Sequence, residues 1–592
     1  MNEYDDHRRL AVLAVLSACL YGVISWLSPQ FEFDSPVVER PIILMLSLFA
    51  AAFILYLFAI RSALRAPQDG RLLKLIVWSA LLFRALLLPS VPIQEIDIYR
   101  YLWDGAVVVQ GISPFRYSPE QVSAARASPT ADAQLATLAR MCDEQPPLAE
   151  VLARIHYGEL PTIYPPISQA VFAAATLTTP ASAPVPARVF VIKCWFVVFD
   201  MATLALVIYL LRLCQRSVGW SIAYAWCPLL LKEVANSGHL DAVAVFLTTL
   251  AIVLAVRLLV QLRRSPQSTL RVTAGATLVA ICLALAIGAK LYPAVLVPLI
   301  GGVLARSLGW RRSLIPAAAF VLVTLLVVWP LLPADPAALA RGEPASDQPP
   351  IPPSAVHPTL PEASVVGDPS LGIATFLSRW EMNDFIFLIV LENLKPAAEP
   401  VDGLAPVTPW FSLLPESLRR RIVSVASVRV GIDEADVPFA LTRAVTLLIF
   451  MGLAAWFAWR AAVQADAAGF CEAAFLTIAW FWLLCPTQNP WYWTWALPLL
   501  PFARSRAWLA VSGLVLMYYL RFWFSYHWTG APVWGTGYFG VTFFDFVVTW
   551  IEYAPWFVWL AVDSWLSERA ICERAKGYLS GKNRRKRADR AD

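Results

Sequence analysis

Charge is scarce in this chain. Asp, Glu, Lys and Arg make up 15% of its 592 residues against 58% hydrophobic ones, and a soluble protein of that length needs far more charged surface. Cysteine spacing is uninformative: the nine cysteines are scattered, most within apolar runs (Cys19, Cys194, Cys282, Cys471), with Cys142 alone deep in a long loop. No pair of them suggests a disulfide framework or a metal site. No Ala-x-Ala-like site follows the first apolar run, so that run is expected to stay as an anchor. No internal repeat and no soluble domain are evident. Ionisable groups are nearly missing from the middles of the apolar runs, which weighs against a transporter, since transport needs such groups near the midplane and access from both sides.

What the chain does have is a succession of apolar runs long enough to cross a bilayer, together with 25 tryptophans. Many tryptophans and tyrosines sit near run ends, as in an aromatic belt. The expected class is an all-α polytopic membrane protein of roughly fourteen membrane segments, counting short or broken ones. The net charge is +5, much of it from the tail at residues 582–587, Lys-Asn-Arg-Arg-Lys-Arg. That tail follows an apolar run and lacks interleaved aromatics, so it reads as contacting anionic lipid from the cytosolic side rather than nucleic acid.

The positive-inside rule orders the topology. His7-Arg8-Arg9 precedes the first span, at residues 10–28, and puts the N-terminus inside; spans at 41–60 and 73–91 follow. Residues 92–166 form a first large external loop whose Ala- and Pro-rich middle reads as short helices and coil. The run 167–178 is short enough to be re-entrant, and 188–213 spans. Further segments lie at 221–231, 242–260, 273–288, 294–305 and 314–332. A second large external loop, 333–438, is Pro-rich at first and then amphipathic over 410–430, where Arg419-Arg420-Arg421 sits on the unexpected side. Spans at 439–459, 471–485, 491–503, 507–524 and 540–563 lead to a basic cytosolic tail, 564–592. The expectation is one integral membrane domain in the cell (inner) membrane, with both termini cytoplasmic.

Three charges fall within apolar runs on this reading. Arg84 either snorkels outward or meets an anionic ligand, and Lys193 and Asp200, seven apart on one helical face, are expected to make structural ion pairs. Gly288 and Pro293 around Lys290 predict a broken helix, which is tolerated where backbone lines a cavity.

The densest polar stretch is Glu95-Ile-Asp-Ile-Tyr-Arg-Tyr-Leu-Trp-Asp-Gly105, continuing to Gly111-Ile-Ser-Pro-Phe115. A helix from Asp97 would set Asp97, Tyr101 and Asp104 on one face and Ile98, Leu102, Ala106 and Val109 on another. The bland reading is an interfacial amphipathic helix with solvated acids. Other polar clusters fall on the same external side: Tyr164-Pro-Pro166, Lys232 to Asp241 with Asn236 and His239, Lys290-Leu-Tyr-Pro293, Arg379 to Asp384 with Asn383, and Pro486 to Trp493 with Gln488, Trp491 and Tyr492. Trp491 reads as a belt residue, and a lone His239 is more often structural. One-sided carboxylates, cations and aromatics point to an enzyme with an outward-facing site. A carboxylate can take a hydroxyl proton, Lys290 with Arg379 or Arg84 can hold a phosphate leaving group, and aromatic rings stack on sugar faces.

The order of these motifs over residues 95–500 resembles the GT-C glycosyltransferases that use polyprenyl-phosphate-linked sugars. Nearest in pattern are the bacterial polyprenol-phosphomannose-dependent mannosyltransferases and the first GPI-anchor mannosyltransferase. The acidic pair of that family is matched by Glu95-Ile-Asp97, its Gly-x-Ser/Asn-Pro-Tyr/Phe element by Gly111 to Phe115, its Tyr-Pro-Pro re-entry by Tyr164 to Pro166, its Lys-x-Tyr-Pro element by Lys290 to Pro293, and its Pro-Trp-Tyr segment by Pro490 to Tyr492. The resemblance implies a GT-C-like bundle and an inverting transfer of a sugar, mannose by the likeness, from a polyprenyl-phosphate donor to a glycan or glycolipid hydroxyl. It implies Asp97 as base and Glu95 beside it as catalytic. It implies Lys290 on the lipid phosphate and Glu95 or Asp104 orienting acceptor or sugar; with the external polar clusters above, the expected substrate-binding residues are Asp104, Tyr101, Arg100, Tyr164, His239, Asp241, Lys290, Tyr292, Arg379, Asn383, Gln488 and Tyr492. No cofactor is expected, and a divalent metal stays open. The alternatives are a lipid-linked glycan polymerase or ligase, with a pyrophosphate donor and more basic groups at its site, and a transporter or flippase with a path lined by the Lys193–Asp200 helix.

Overall fold

The computed structural model describes residues 3–128, 130–264, 268–332, 380–397, 408–464 and 466–566. The described chain is 77% helical with no strand. Among the described residues nine helices are long and apolar enough to cross a membrane: Asp6–Phe31, Val37–Arg65, Val185–Leu213, Asp241–Arg264, Thr269–Ala289, Trp310–Leu331, Val437–Gln464, Ala467–Leu484 and Ala507–His527. The chain is therefore an all-α multi-pass membrane protein. Trp26, Trp310 and Trp329 stand exposed at ends of these helices, whereas Trp226, Trp482 and Trp493 are buried, so only part of the tryptophan content behaves as a belt.

The described residues fall into two compact units. One comprises residues 1–382 and 443–502, the other 383–442 and 503–592. The first unit opens with helices α1 (Glu3–Leu27), α2 (Ile42–Arg65) and α3 (Gly70–Leu87). Asp69 starts α3 by accepting the N–H groups of Arg71 and Leu72 at 3.0 and 2.9 Å, filling two of the donors a helix start leaves open. Helix α4 (Asp97–Val109) follows, then the short α5 (Pro119–Ala127), α6 (Ala133–Glu144) and α7 (Pro146–Ala153). These are the short helices expected of residues 119–160, and Ser118 with Gln121 forms a capping box at the first of them. Helix α8 (Pro166–Leu177) has 12 residues, too few to cross a bilayer at 1.5 Å per residue. Helix α9 (Val185–Leu213) is full length.

Helix α4 is not an interfacial amphipathic helix. Every residue from Ile98 to Val107 is buried, because α7, α8 and α9 all lie against it. Gly105 permits that approach: a Cβ there would lie 2.5 Å from the carbonyl oxygen of Phe172.

Three runs differ from the simple spans expected. Residues 218–236 break into a 3₁₀ turn (Val218–Ser221), two short α segments (Ile222–Ala225, Pro228–Leu230) and a π-helical turn (Leu231–Asn236). Residues 491–503 do not span: a turn at Pro490–Trp493 is followed by a 3₁₀ segment at Leu497–Phe502, buried throughout, because Pro490, Pro498 and Pro501 remove helix donors. The run 540–563 begins as Gly540–Phe543, passes through a π turn at Phe544–Val548 and continues helical to residue 566. Near Lys290 the helix breaks as expected: Thr269–Ala289 ends, Lys290 is extended, and a 3₁₀ turn at Tyr292–Leu296 leads into Val297–Leu308.

In the second unit the Glu416–Val430 helix carries the arginine cluster. Arg419 pairs with Glu416 at 2.9 Å and donates to the Lys395 carbonyl at 2.7 Å, and Arg420 pairs with the same glutamate at 2.7 Å. Two of the three arginines are thus paired within this unit.

Arg84 does not snorkel. It is fully buried and grips Asp200 of α9 through two nitrogens, at 2.5 and 3.2 Å, while Tyr224 donates to the same carboxylate at 2.8 Å. Asp200 makes the ion pair expected of it. Lys193 makes none among the described residues: its ammonium donates to the carbonyls of Leu87 and Ser90 at 3.4 and 2.8 Å, closing the C-terminal end of α3. Asn236 accepts from the N–H of Ile93 and donates to Ser90 Oγ and the Val91 carbonyl. The segment leading to Glu95 is therefore held from α9 and from the turn at 231–236.

Gly238 closes that turn with φ +72°, and a Cβ there would meet Ile98 Cδ1 at 2.8 Å and Lys193 Cγ at 2.9 Å. Gly238→Ala is expected to cost about 2–4 kcal/mol, from the left-handed backbone and the forced shift of two packed side chains. Thermal unfolding of the purified variant measures it, and an unchanged melting temperature would contradict this packing.

Candidate active site

Glu95 sits one residue ahead of the cap of α4. Its Oε1 accepts the N–H groups of Ile96 and Asp97 at 2.9 and 2.8 Å, so one oxygen satisfies donors that the helix start leaves open. Its Oε2 lies 3.3 Å from His239 Nε2, which is also 3.2 Å from Glu233 Oε2. Neither approach lies along the N–H axis, so these are ion pairs rather than aligned hydrogen bonds. Lys232 reaches Glu233 Oε2 at 3.3 Å. The π turn puts Lys232 and Glu233 on the side of His239, whose ring stacks on Trp491 with centroids 4.3 Å apart. Trp491 is buried here and is not a belt residue.

The electrostatics of this group follow from its crowding. Burial alone would raise the Glu95 carboxyl, but His239 and Lys232 outweigh it and hold Glu95 well below the usual range. Burial alone would discharge His239, yet Glu95 and Glu233 push its imidazole up to about 9. Asp97 ends up as the odd acid. Burial and the neighbouring Glu95 charge push its carboxyl up to about 7, against the pull of His239, Lys290 and Tyr164. The side chain is only half-buried, and its Oδ2 accepts from Tyr164 Oη at 3.3 Å.

Tyr164 is positioned by residues expected to bind substrate. Asp104 Oδ1 accepts from Arg100 Nε at 3.2 Å and its Oδ2 from Gln169 Nε2 at 3.0 Å. Arg100 donates to the Leu160 carbonyl at 2.7 Å, and Gln169 donates to Thr162 Oγ1 and the Tyr164 carbonyl, both at 3.2 Å. Asp104 and Arg100 thus tie residues 160–164 to α4 and are both buried. Tyr101 stacks on Phe172 at 4.8 Å and meets Tyr164 edge-on at 5.0 Å.

A second cluster gathers at the helix break. Lys290 Nζ lies 2.7 Å from both oxygens of Asp241, 4.5 Å from the Tyr492 ring centre and 5.4 Å from that of Trp495. Its side chain is 17% exposed, so it does not snorkel to headgroups. Trp495 donates to Asp241 Oδ1 and lies between Tyr292 and Tyr492, with ring centres 4.1 and 4.4 Å away. Tyr292 is fixed through its hydroxyl to Thr248 at 3.1 Å. The two clusters share one field: Lys290 pulls Asp97 down, while burial pushes the Lys290 ammonium down and Asp241, then Asp97 and Glu95, offset part of that.

Of the remaining expected residues, Gln488 is fully buried and donates to the Leu483 and Cys485 carbonyls at 3.0 and 3.3 Å, a scaffold role. Asn383 belongs to the second unit, where it donates to Tyr553 Oη at 3.4 Å. Arg379 lies outside the described residues. Glu233, Trp495 and the stacking of Trp491 were not anticipated. The only sequence signal for Glu233 was its place in the polar patch at 232–241. Trp495 had none, since it stands in what reads as an apolar span.

Among the described residues no three His, Cys, Asp or Glu side chains are grouped to hold a metal. The arrangement offers a half-buried carboxyl that titrates near neutrality, a fixed charge set beside it, a lysine within its electrostatic reach and a wall of aromatic rings. Such a set suits proton removal from a hydroxyl next to a ring-shaped, anion-bearing substrate. No protein-family model, curated protein or solved structure matches the chain.

Proposed function

We propose that this protein is a membrane-embedded inverting glycosyltransferase that moves a sugar, mannose by motif likeness, from a polyprenyl-phosphate donor to a hydroxyl of a glycan or glycolipid. The observation that carries this reading is Asp97: a half-buried acid poised near neutral pH, flanked by the Glu95–His239 pair, whose carboxyl is held down and whose imidazole is pushed up, and within the field of Lys290. Asp97 takes the acceptor hydroxyl's proton as that oxygen attacks the anomeric carbon. The bond from that carbon to the phosphate oxygen breaks, and polyprenyl phosphate leaves with the electron pair. Phosphate is a good leaving group and needs a basic contact more than an acid. Burial pushes the Lys290 ammonium down and Asp241 opposes that shift; with both Asp241 oxygens at 2.7 Å, Lys290 still has a further N–H to offer. Tyr492, Tyr292 and Trp495 provide flat surfaces for sugar.

The finer architecture on this reading is a GT-C-like bundle of roughly fourteen membrane segments, with the site facing the extracytoplasmic side of the cell membrane. A transport path along α9 is less well supported, because Lys193 and Asp200 are both buried and engaged within the protein. A pyrophosphate donor is also less well supported, because among the described residues Lys232, His239 and Lys290 of this cluster each face a carboxylate.

The test is transfer of labelled sugar from polyprenyl-phosphate mannose by the purified protein, followed against pH. Turnover is expected to be low below the Asp97 pKa of about 7 and to rise through it, because only the ionised carboxylate accepts a proton. Glu95→Gln keeps the oxygen that accepts from Ile96 and Asp97 but removes the negative charge that raises Asp97. Its profile is therefore expected to shift to lower pH. No turnover of any polyprenyl-phosphate sugar by the native protein would overturn the reading, and a Glu95→Gln shift to higher pH would remove the assigned electrostatics.

A further inference from the structure

A groove of about 510 Å³ lies where one end of α1 meets one end of α2, far in sequence from the candidate active site. It is lined by Asp6, Arg8, Arg9, Val12, Leu13, Phe58, Arg61, Ser62 and Arg65. The spacing makes it two-layered. Arg8 and Arg9 stand one turn from Val12 and Leu13, and Arg61 and Arg65 stand one and two turns from Phe58. The guanidinium groups therefore ring the outer layer at the ends of two membrane-crossing helices, and the apolar side chains form the layer beneath.

Charge and apolar exposure both remain uncovered here. Four arginines against one aspartate give the lining a net charge of +3. Arg9 has Asp6 at 4.0 Å, whereas Arg8, Arg61 and Arg65 are exposed and have no ion-pair partner among the described residues. Val12 and Phe58 are 53% and 57% exposed. A soluble anion would answer the charge alone and leave the apolar layer to bulk acyl chains. A phospholipid covers both, with its headgroup phosphate among the arginines and an acyl chain along Val12, Leu13 and Phe58. The height of the layer in the membrane fits as well, because helix ends lie at headgroup level.

We propose that this groove is a binding site for an anionic phospholipid, and that its paired arginines on two helices favour a headgroup with two phosphates over one with a single phosphate. The site is independent of the glycosyl-transfer reading, since none of its residues belongs to either cluster described above. It holds an annular lipid in place at the α1–α2 hairpin and ties the stability of that hairpin to lipid composition.

The experiment measures thermal stability and lipid retention of the purified full chain in neutral detergent, with cardiolipin, phosphatidylglycerol, phosphatidylcholine and inorganic phosphate as separate additives. Cardiolipin is expected to stabilise most, phosphatidylglycerol less, and phosphatidylcholine and phosphate not at all. Arg61→Gln/Arg65→Gln is expected to weaken cardiolipin about thirtyfold, at about fivefold per arginine. Arg71→Gln/Lys74→Gln, which removes basic groups outside the groove, is expected to leave it unchanged. Should the glutamine pair disturb insertion, Arg61→Lys/Arg65→Lys keeps the charge and is expected to retain cardiolipin binding in weakened form. Equal stabilisation by inorganic phosphate would make this a soluble-anion site and overturn the proposal. Equal loss in the Arg71/Lys74 variant would reduce the effect to overall charge and overturn it too.

Discussion

Asp97→Asn is expected to lower sugar transfer by roughly 10²- to 10⁴-fold, the span that a positioned general base contributes. The substitution isolates the chemistry well. Asparagine has nearly the same shape, and its carbonyl oxygen can still accept the Tyr164 hydroxyl that lies 3.3 Å from Asp97 Oδ2. The backbone N–H of Asp97 keeps its bond to Glu95. What disappears is the ability to take a proton near neutral pH. The melting temperature is therefore expected to stay close to that of the native protein, or to rise slightly, because one of two crowded acids is gone. Transfer rate and thermal unfolding measured on one preparation separate the outcomes. A variant that is folded and fully active would show that another group takes the proton.

The largest expected effect on stability belongs to Asp200→Ala. Arg84 and Asp200 are buried at 0% and 1% side-chain exposure, and the guanidinium is completed by the carbonyls of Ala80 and Ala225 at 3.0 and 2.9 Å. Removing the carboxylate leaves a buried cation uncompensated, which costs about 3–5 kcal/mol, and Tyr224 loses its acceptor as well. Replacing both charged partners by apolar residues, Arg84→Met/Asp200→Leu, is expected to recover much of the loss, because an absent pair costs far less than half of one. Unfolding in detergent and the yield of folded protein report both variants. A single variant as stable as the native chain would mean that Arg84 finds another counter-charge or water.

The helical membrane class, the helix from Asp97, the short helices at 119–160 and the break at Lys290 were legible because each is written in local pattern: length of apolar run, capping residue, glycine and proline. Other features were not, because they depend on residues far apart in the chain. Arg84 reads as a snorkelling cation until Asp200 is seen 116 residues on. Asp104 and Arg100 look like substrate ligands by their place beside Asp97, yet their partners are Gln169 and the Leu160 carbonyl. Residues 491–503 are apolar enough to resemble a span, and composition cannot tell a lipid-facing run from one sealed inside protein. Trp495, in that run, is consequently the site residue least visible in sequence. Glu95 and Asp97 were legible as a pair, but not their opposite shifts, with Glu95 held down by His239 and Lys232 and Asp97 pushed up by burial and by Glu95.

The Arg84–Asp200 pair also fixes an order of events during synthesis. When Arg84 leaves the ribosome, its partner is still 116 residues away, roughly 6–23 s at ordinary translation speeds of ~5–20 residues per second. Through that interval α3 carries a cation with no counter-charge. Until α9 arrives the guanidinium is expected to stay at a polar interface rather than at its final buried position. The final seating of α3 is therefore expected to await α9, and a nascent chain halted before Asp200 is expected to be a substrate for membrane quality control.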